Sequence, residues 1–188
     1  MARLLHCFVT AIVSVGITGA ARVGSAQDRA TEQFIQRVNA YMEFRSDFTE
    51  MVPPLKAASD REAIETASNA LAVALRAARP QAKIGDVFAP DIVDAFRQRI
   101  DEAIRQQGAA AEDLLAEMAS EATLFYPPLA VNARFEWSCS ATTPGFLIAA
   151  LPPLPDELQY RFVDGDLVLV DVPARLIVDI IPLAIAIN

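Results

Sequence analysis

Tyr160–Pro182 reads YRFVDGDLVLVDVPARLIVDIIP. Apolar and polar residues alternate on either side of Asp164-Gly165, a dipeptide that tolerates the positive φ angles of a two-residue hairpin turn. With that pair at the tip, Val163 faces Asp166, Phe162 faces Leu167, Arg161 faces Val168 and Tyr160 faces Leu169. Pro173-Ala174 offers a second turn, which brings Arg175–Ile181 back as a third strand. The segment therefore predicts a small antiparallel meander.

Side chains alternate across a strand, so this register sorts the residues onto two faces. Leu158, Tyr160, Phe162, Leu167, Leu169, Leu176, Val178 and Ile180 form an apolar face. Gln159, Arg161, Asp166, Arg175 and Asp179 share a mixed face with valines and isoleucines. The four aspartates then have ordinary explanations. Asp164 belongs to the turn. Asp166 and Asp179 lie near Arg161 and Arg175. Asp171 falls on the apolar face, at a strand end where it reaches water. A calcium loop needs acidic oxygens at alternating positions along a bend, and DGDLVLVD gives two acids followed by a dry strand. No metal is expected.

Working back from the sheet, the chain reads as helices. Residues 28–52 place Phe34, Val38, Tyr41, Phe48 and Val52 on one face at helical period, and Pro53-Pro54 stops the run. Ser59 and Glu62 have the spacing of a capping box and open a second helix, with Ile64, Leu71 and Leu75 on an alanine-rich stripe. QAKIGDVF is a loop. Pro90 fits a first helical position, and Ile92, Phe96, Ile100, Ala103 and Ile104 line the third helix up to Gly108. A fourth turns Leu114, Leu115 and Met118 inward. Val131–Ser140 reads as a strand, and Thr143-Pro144 starts a short helical segment. The expected fold class is α+β: about four helices over residues 27–122 packed on one face of a sheet within a strand-rich part, 123–188, in one domain.

The first 26 residues look like a secretory leader. Arg3 is followed by an apolar run of about 15 residues, too short for the roughly 20 of a spanning helix. Gly24 and Ala26 suit a signal peptidase, with cleavage near Ala26. His6, the only histidine, lies in this leader. So does Cys7, which leaves Cys139 as the sole thiol of the mature chain, expected buried. Loss of Arg3 and Arg22 makes the formal net charge more negative than the precursor's −8. A mature chain of this make-up has no Ser-His-Asp or Cys-His machinery, no histidine metal site and no internal disulfide. Its acidity opposes binding to nucleic acid and to anionic lipid, and the expected cofactor set is empty. No glycine-rich phosphate loop is present.

The segments RVNAYMEFR, AKIGDVFAP and LIAALPPLPDELQYRFVDGDLVLVDVPARLIVDIIP, together with the exported start, resemble an uncharacterised family of secreted bacterial proteins. The resemblance implies export and one shared architecture. It implies no activity, ligand or catalytic residue.

Two arginines are candidate ligand-binding residues. Arg45 sits in the middle of the first helix's apolar stripe. Its charge cannot be shed, so it needs a carboxylate, backbone carbonyls or a bound anion, or a stem that packs while the guanidinium reaches water or a native acid. Arg99, at the edge of the third helix's stripe, is a weaker case. The expected function is an exported, non-catalytic periplasmic or secreted module for a protein or small-molecule partner. The alternative is a carboxylate-dependent hydrolase whose arginine holds an anionic substrate, with catalytic residues unknown.

Overall fold

The computed structural model describes residues 26–50, 60–120, 128–139 and 142–185. Residues 1–25 of the leader, Pro53-Pro54, Val52, Ser59 and the side chain of Cys139, all singled out above, lie outside the described residues.

Helix α1 (Ala26–Thr49) buries Ala30, Phe34, Val38, Tyr41 and Arg45. Helix α2 (Arg61–Ala78) is capped by Asp60, whose side chain accepts the Glu62 amide. Its inward face is Ala67, Ser68, Leu71, Ala72 and Leu75; Ile64, expected on that stripe, is exposed. The apolar face turns away from Ile64 because the contact with the sheet begins a turn later. Helix α3 (Pro90–Gln107) starts at its proline and stops at Gly108, whose φ of 63° is a conformation in which glycine meets no Cβ clash. Helix α4 (Ala109–Ser120) and the short α5 (Gly145–Ala149) follow.

Strands β1 (Leu158–Val163), β2 (Asp166–Asp171) and β3 (Leu176–Ile181) form one antiparallel sheet in the order β1-β2-β3. The first hairpin has the expected register, from Leu158↔Asp171 to Val163↔Asp166. Asp164 and Gly165 both take positive φ, 48° and 83°, as a twist-matched two-residue turn requires. Tyr160, Phe162, Leu167 and Leu169 are buried beneath α1 and α3 in a core with Phe34, Phe88 and Phe96. The α+β architecture is thus helices on a C-terminal meander.

The second hairpin differs from a plain alternation. Leu169 pairs with Asp179 but Val170 pairs with Ile177, so Val178 is an extra residue on β3. Such a bulge shifts the phase of everything beyond it. Leu176 and Val178 keep the expected helix side. Ile180 turns to the opposite face, Ile181 turns inward, and Asp179 comes to the helix side, fully buried. The expectation of Asp179 on a mixed face beside Arg175 fails for this reason. Arg175 instead lies 3.5 Å from Glu65, and Asp166 accepts the Leu183 amide. The expectation that Asp171 reaches water also fails: it is fully buried.

The far face of the sheet is covered too. Val163, Val168, Val170, Ile177 and Ile180 pack under Phe135, Leu129, Ala133 and Trp137. This segment was expected to be a strand over Val131–Ser140. It makes three backbone hydrogen bonds to the β3 side, Asn132 N–H to Ile177, Phe135 N–H to Arg175 and Ile177 N–H to Ala133. It does not extend into a full strand, because Asn132 adopts φ 65° and Trp137–Cys139 turns into a 3-10 helix.

Candidate functional site

The sheet's two buried aspartates are held by the fold itself. Asp171 Oδ2 accepts Arg45 Nε at 2.6 Å and the Tyr41 hydroxyl at 2.8 Å, and Oδ1 accepts the Ala174 amide at 3.0 Å. Arg45 also reaches Thr49 Oγ1 at 3.3 Å. Burial, and then the adjacent Asp171 charge, pushes the Tyr41 phenol well above the ordinary tyrosine range. Asp179 meets no cation among the described residues. Its Oδ1 accepts the amides of Gly85 and Ile180 at 3.0 and 2.8 Å, and Oδ2 those of Val87 and Phe88 at 2.7 and 2.8 Å. The loop before α3 thus wraps its amides around one carboxylate, which satisfies donors that would otherwise be buried unpaired.

The sequence candidates therefore sit in different settings. Arg45 has a native acid as its partner inside the core. Arg99 donates from Nη2 to Thr31 Oγ1 at 2.7 Å, while its buried Nε has no partner among the described residues. It lines a hollow of about 230 Å³ with Gln27, Glu102 and Gln106. Arg45 does not line that hollow.

A larger cavity, about 790 Å³, runs between α5, the proline segment after it, and β1. The local sequence builds it. Pro152, Pro153 and Pro155 hold the chain extended after α5, the Tyr160 hydroxyl ties back to the Pro152 carbonyl at 3.1 Å, and Leu158 N–H bonds Pro155. Burial raises the Tyr160 phenol well above its ordinary range, partly offset by the Arg99 charge. Ile148, Leu151, Pro153 and Leu154 give apolar walls, and no Asp or Glu among the described residues lines the cavity.

Its position follows from strand geometry. Leu158, Gln159, Tyr160 and Arg161 all line it. Successive strand residues point to opposite faces, so a cavity touched by four in a row lies against the edge of β1. The polar groups there are Thr143, Gln159 and Arg161. Arg161 Nη2 bonds Gln159 Oε1 at 2.5 Å and its Cζ stands 5.0 Å from the Trp137 ring centre. Arg161 Nε and Thr143 Oγ1 are buried, and neither has a hydrogen-bond partner among the described residues.

A second cleft of about 470 Å³ places Arg37 and Arg79 around Asp86 over the Tyr41 ring. Arg37 bonds the Asp86 carbonyl at 2.6 Å, and Arg79 Nη2 stands 3.9 Å from Asp86 Oδ2. Among the described residues no group of three or more His, Cys, Asp or Glu gathers as a metal site, and no helix is long and apolar enough to cross a membrane.

Sequence reasoning missed both cavities. Arg161 had a visible signal, a cation on a mixed strand face. The groove did not, because it depends on how α5 stands off from β1. No family model, curated protein or solved structure matches this chain.

Proposed function

We propose that the protein is an exported, non-catalytic binding module, and that its ligand occupies the groove along β1. One observation carries this reading: a cavity of about 790 Å³ with largely apolar walls is lined by two residues, Arg161 and Thr143, that each hold a buried polar atom without a partner among the described residues. Binding sites commonly combine an apolar lining with a few convergent polar groups. Buried polar groups inside folded proteins are usually paired, as Asp171 and Asp179 are; Ser68, Arg79, Arg97, Arg99 and Asn132 also hold a buried polar atom without a partner among the described residues, but none of them lines this cavity.

Among the described residues that line the groove there is no carboxylate, whereas carboxylate-dependent hydrolysis needs two acids flanking the scissile bond. The Arg37–Arg79 cleft brings one acid, Asp86, to its arginines. The leader-like start and the family resemblance support export to the periplasm or beyond.

Protein recovered after export is screened by thermal shift against medium-chain carboxylates, sugars, peptidoglycan fragments, short peptides, calcium and chelator. The expected result is stabilisation by an anionic apolar compound that disappears in Ala149→Trp, which fills the groove from its rim. A shift that survives Ala149→Trp places the ligand elsewhere. Mass analysis of the exported chain tests the leader: an N-terminus at Gln27 is expected, and an uncleaved chain refutes export by this route.

A further inference from the structure

We infer that the cleft between α1 and the end of α2 binds a small organic anion. Arg37 and Arg79 hold its carboxylate or phosphate head, and its apolar body lies against Phe44, Ala40 and Ala78. The residues that line this cleft and those that line the β1 groove do not overlap, so the inference stands apart from that site.

Three parts of the chain build the cleft. Arg37, Tyr41 and Phe44 share one face of α1, because residues three and four apart on a helix are neighbours. Arg79 ends α2, and Asp86 comes from the loop before α3. These residues line a space of about 470 Å³. Ala40 and Ala78 line it from exposed positions, and their side chains are too short to fill it.

Both guanidinium groups converge on one residue. Arg37 Nη1 donates to the Asp86 carbonyl at 2.6 Å, and Arg79 Nη2 stands 3.9 Å from Asp86 Oδ2. Arg79 Cζ lies 5.1 Å from the Tyr41 ring centre, so the scaffold positions that cation before a ligand arrives. Arg37 is exposed and forms no ion pair among the described residues. Asp86 Oδ2 also accepts the Lys83 amide at 3.1 Å. Two cations thus share one carboxylate that is already engaged. The described lining carries a net positive charge, in a chain whose formal net charge is −8. Arg79 Nη1 is buried, so the head meets the exposed Arg37 guanidinium and the Nη2 edge of Arg79. Arginine forks match the oxygens of carboxylate and phosphate, and such charge-assisted bonds are the strong kind. A bare ion is far smaller than the cleft, whose apolar walls fit an organic body.

The probes are benzoate and phenyl phosphate, with neutral benzamide and bare sulfate as comparisons. They are titrated into the full exported chain carrying Ala149→Trp, whose filled β1 groove removes that site, and NMR shifts are read at the amides of Gly85–Val87 and the arginine Nε groups. Saturable binding of benzoate or phenyl phosphate is expected, with benzamide and sulfate roughly tenfold weaker or more. Arg37→Gln weakens benzoate binding roughly tenfold and leaves the melting temperature in place, because Arg37 is exposed. Asp86→Asn keeps an oxygen for the Lys83 amide and removes the like charge, so benzoate binds roughly three- to fivefold tighter. This variant separates a site from a structural ion pair. A lower melting temperature with unchanged affinity would mean that Asp86 only anchors the arginines, and would refute the site. Benzamide bound as tightly as benzoate overturns recognition of charge, and sulfate bound as tightly overturns an organic ligand. A preference between benzoate and phenyl phosphate supports the site and identifies its head group. No shift with any probe overturns the cleft, whatever the β1 groove binds in the native chain.

Discussion

The two outer strands of this sheet treat buried polar groups in opposite ways. On β3, Asp179 is fully buried and both its oxygens are filled by backbone amides. Beside β1, Arg161 and Thr143 line a cavity, and each holds a buried polar atom without a partner among the described residues. A buried polar group left unpaired costs about 1–3 kcal/mol. Asp179 on β3 has the chemistry of scaffold, because both its oxygens are bonded by the chain itself. The β1 side is the place for a site, because a cavity runs along it. If that distinction holds, substitutions around β3 damage folding and substitutions beside β1 damage binding.

The sharpest break is Asp179→Ala. It leaves the amides of Val87 and Phe88 buried with no acceptor and frees the loop that leads into α3. A loss of about 4–5 kcal/mol is expected, with a melting temperature lowered by about 10 °C or more. Calorimetry of the purified variant checks this. A change under about 1 kcal/mol would show that the amides find water, and Asp179 would no longer mark the scaffold.

Arg45→Met comes next, with an expected loss of about 3–4 kcal/mol, because it strands the Asp171 carboxylate in the core. Tyr41 and Ala174 continue to donate to Asp171, so the effect is smaller than complete exposure of the charge. Adding Asp171→Asn recovers part of the loss: the buried charge is gone, the amide oxygen accepts the Ala174 N–H, and the amide nitrogen donates to the Tyr41 hydroxyl. Urea unfolding of the two single variants and the double variant reads the coupling. Additive effects would mean that Arg45 acts through packing alone.

Gly165→Val probes the tip of the hairpin that both sides share. Gly165 has φ 83°, which a β-branched residue resists. About 2 kcal/mol of destabilisation is expected from strain of this kind, and an unchanged melting temperature would contradict the turn.

Alkaline pH tests the helix-side core without a substitution. The phenols of Tyr41 and Tyr160 hold their protons more tightly in the folded chain, chiefly through burial. The unfolded chain therefore releases these protons first, as pH passes about 10. Their contribution is complete below that pH and is lost progressively above it. Urea midpoints measured from pH 8 to 11 should fall at the alkaline end, and Tyr160→Phe should flatten the fall. An identical profile in that variant would mean that Tyr160 does not contribute.

The two borders also differ in how much the sequence revealed of them. The β1–β2 register was legible because one dipeptide fixes a two-residue turn and strict alternation then follows from it. The helices were legible from their 3.6-residue stripes, and Arg45 stood out as a cation among apolar neighbours. Asp179 was misplaced because Val178 is an extra residue, and nothing in LIVDIIP marks a bulge. Its partners could not be foreseen either, since they are backbone amides about ninety positions away in the chain, and amides carry no side-chain signature. The groove was hidden for a related reason. It is a separation between α5 and β1, set by tertiary packing, and residue order encodes it only through the prolines that hold the two apart.

The smallest expected effect on stability belongs to Arg161→Gln, and it discriminates best between scaffold and site. The side chain is partly buried, stacks on Trp137 and bonds Gln159, and it meets no acidic partner among the described residues of the groove it lines. Removing the cation–π contact costs about 0.5–1 kcal/mol, and removing a charge that nothing balances offsets part of that. The melting temperature should therefore shift by no more than about 3 °C, while any groove-dependent ligand response is lost. A large thermal loss would give Arg161 the same role as Arg45, a cation that holds the fold together. The β1 border would then join the β3 border as scaffold, and the unpaired atoms beside it would need another explanation.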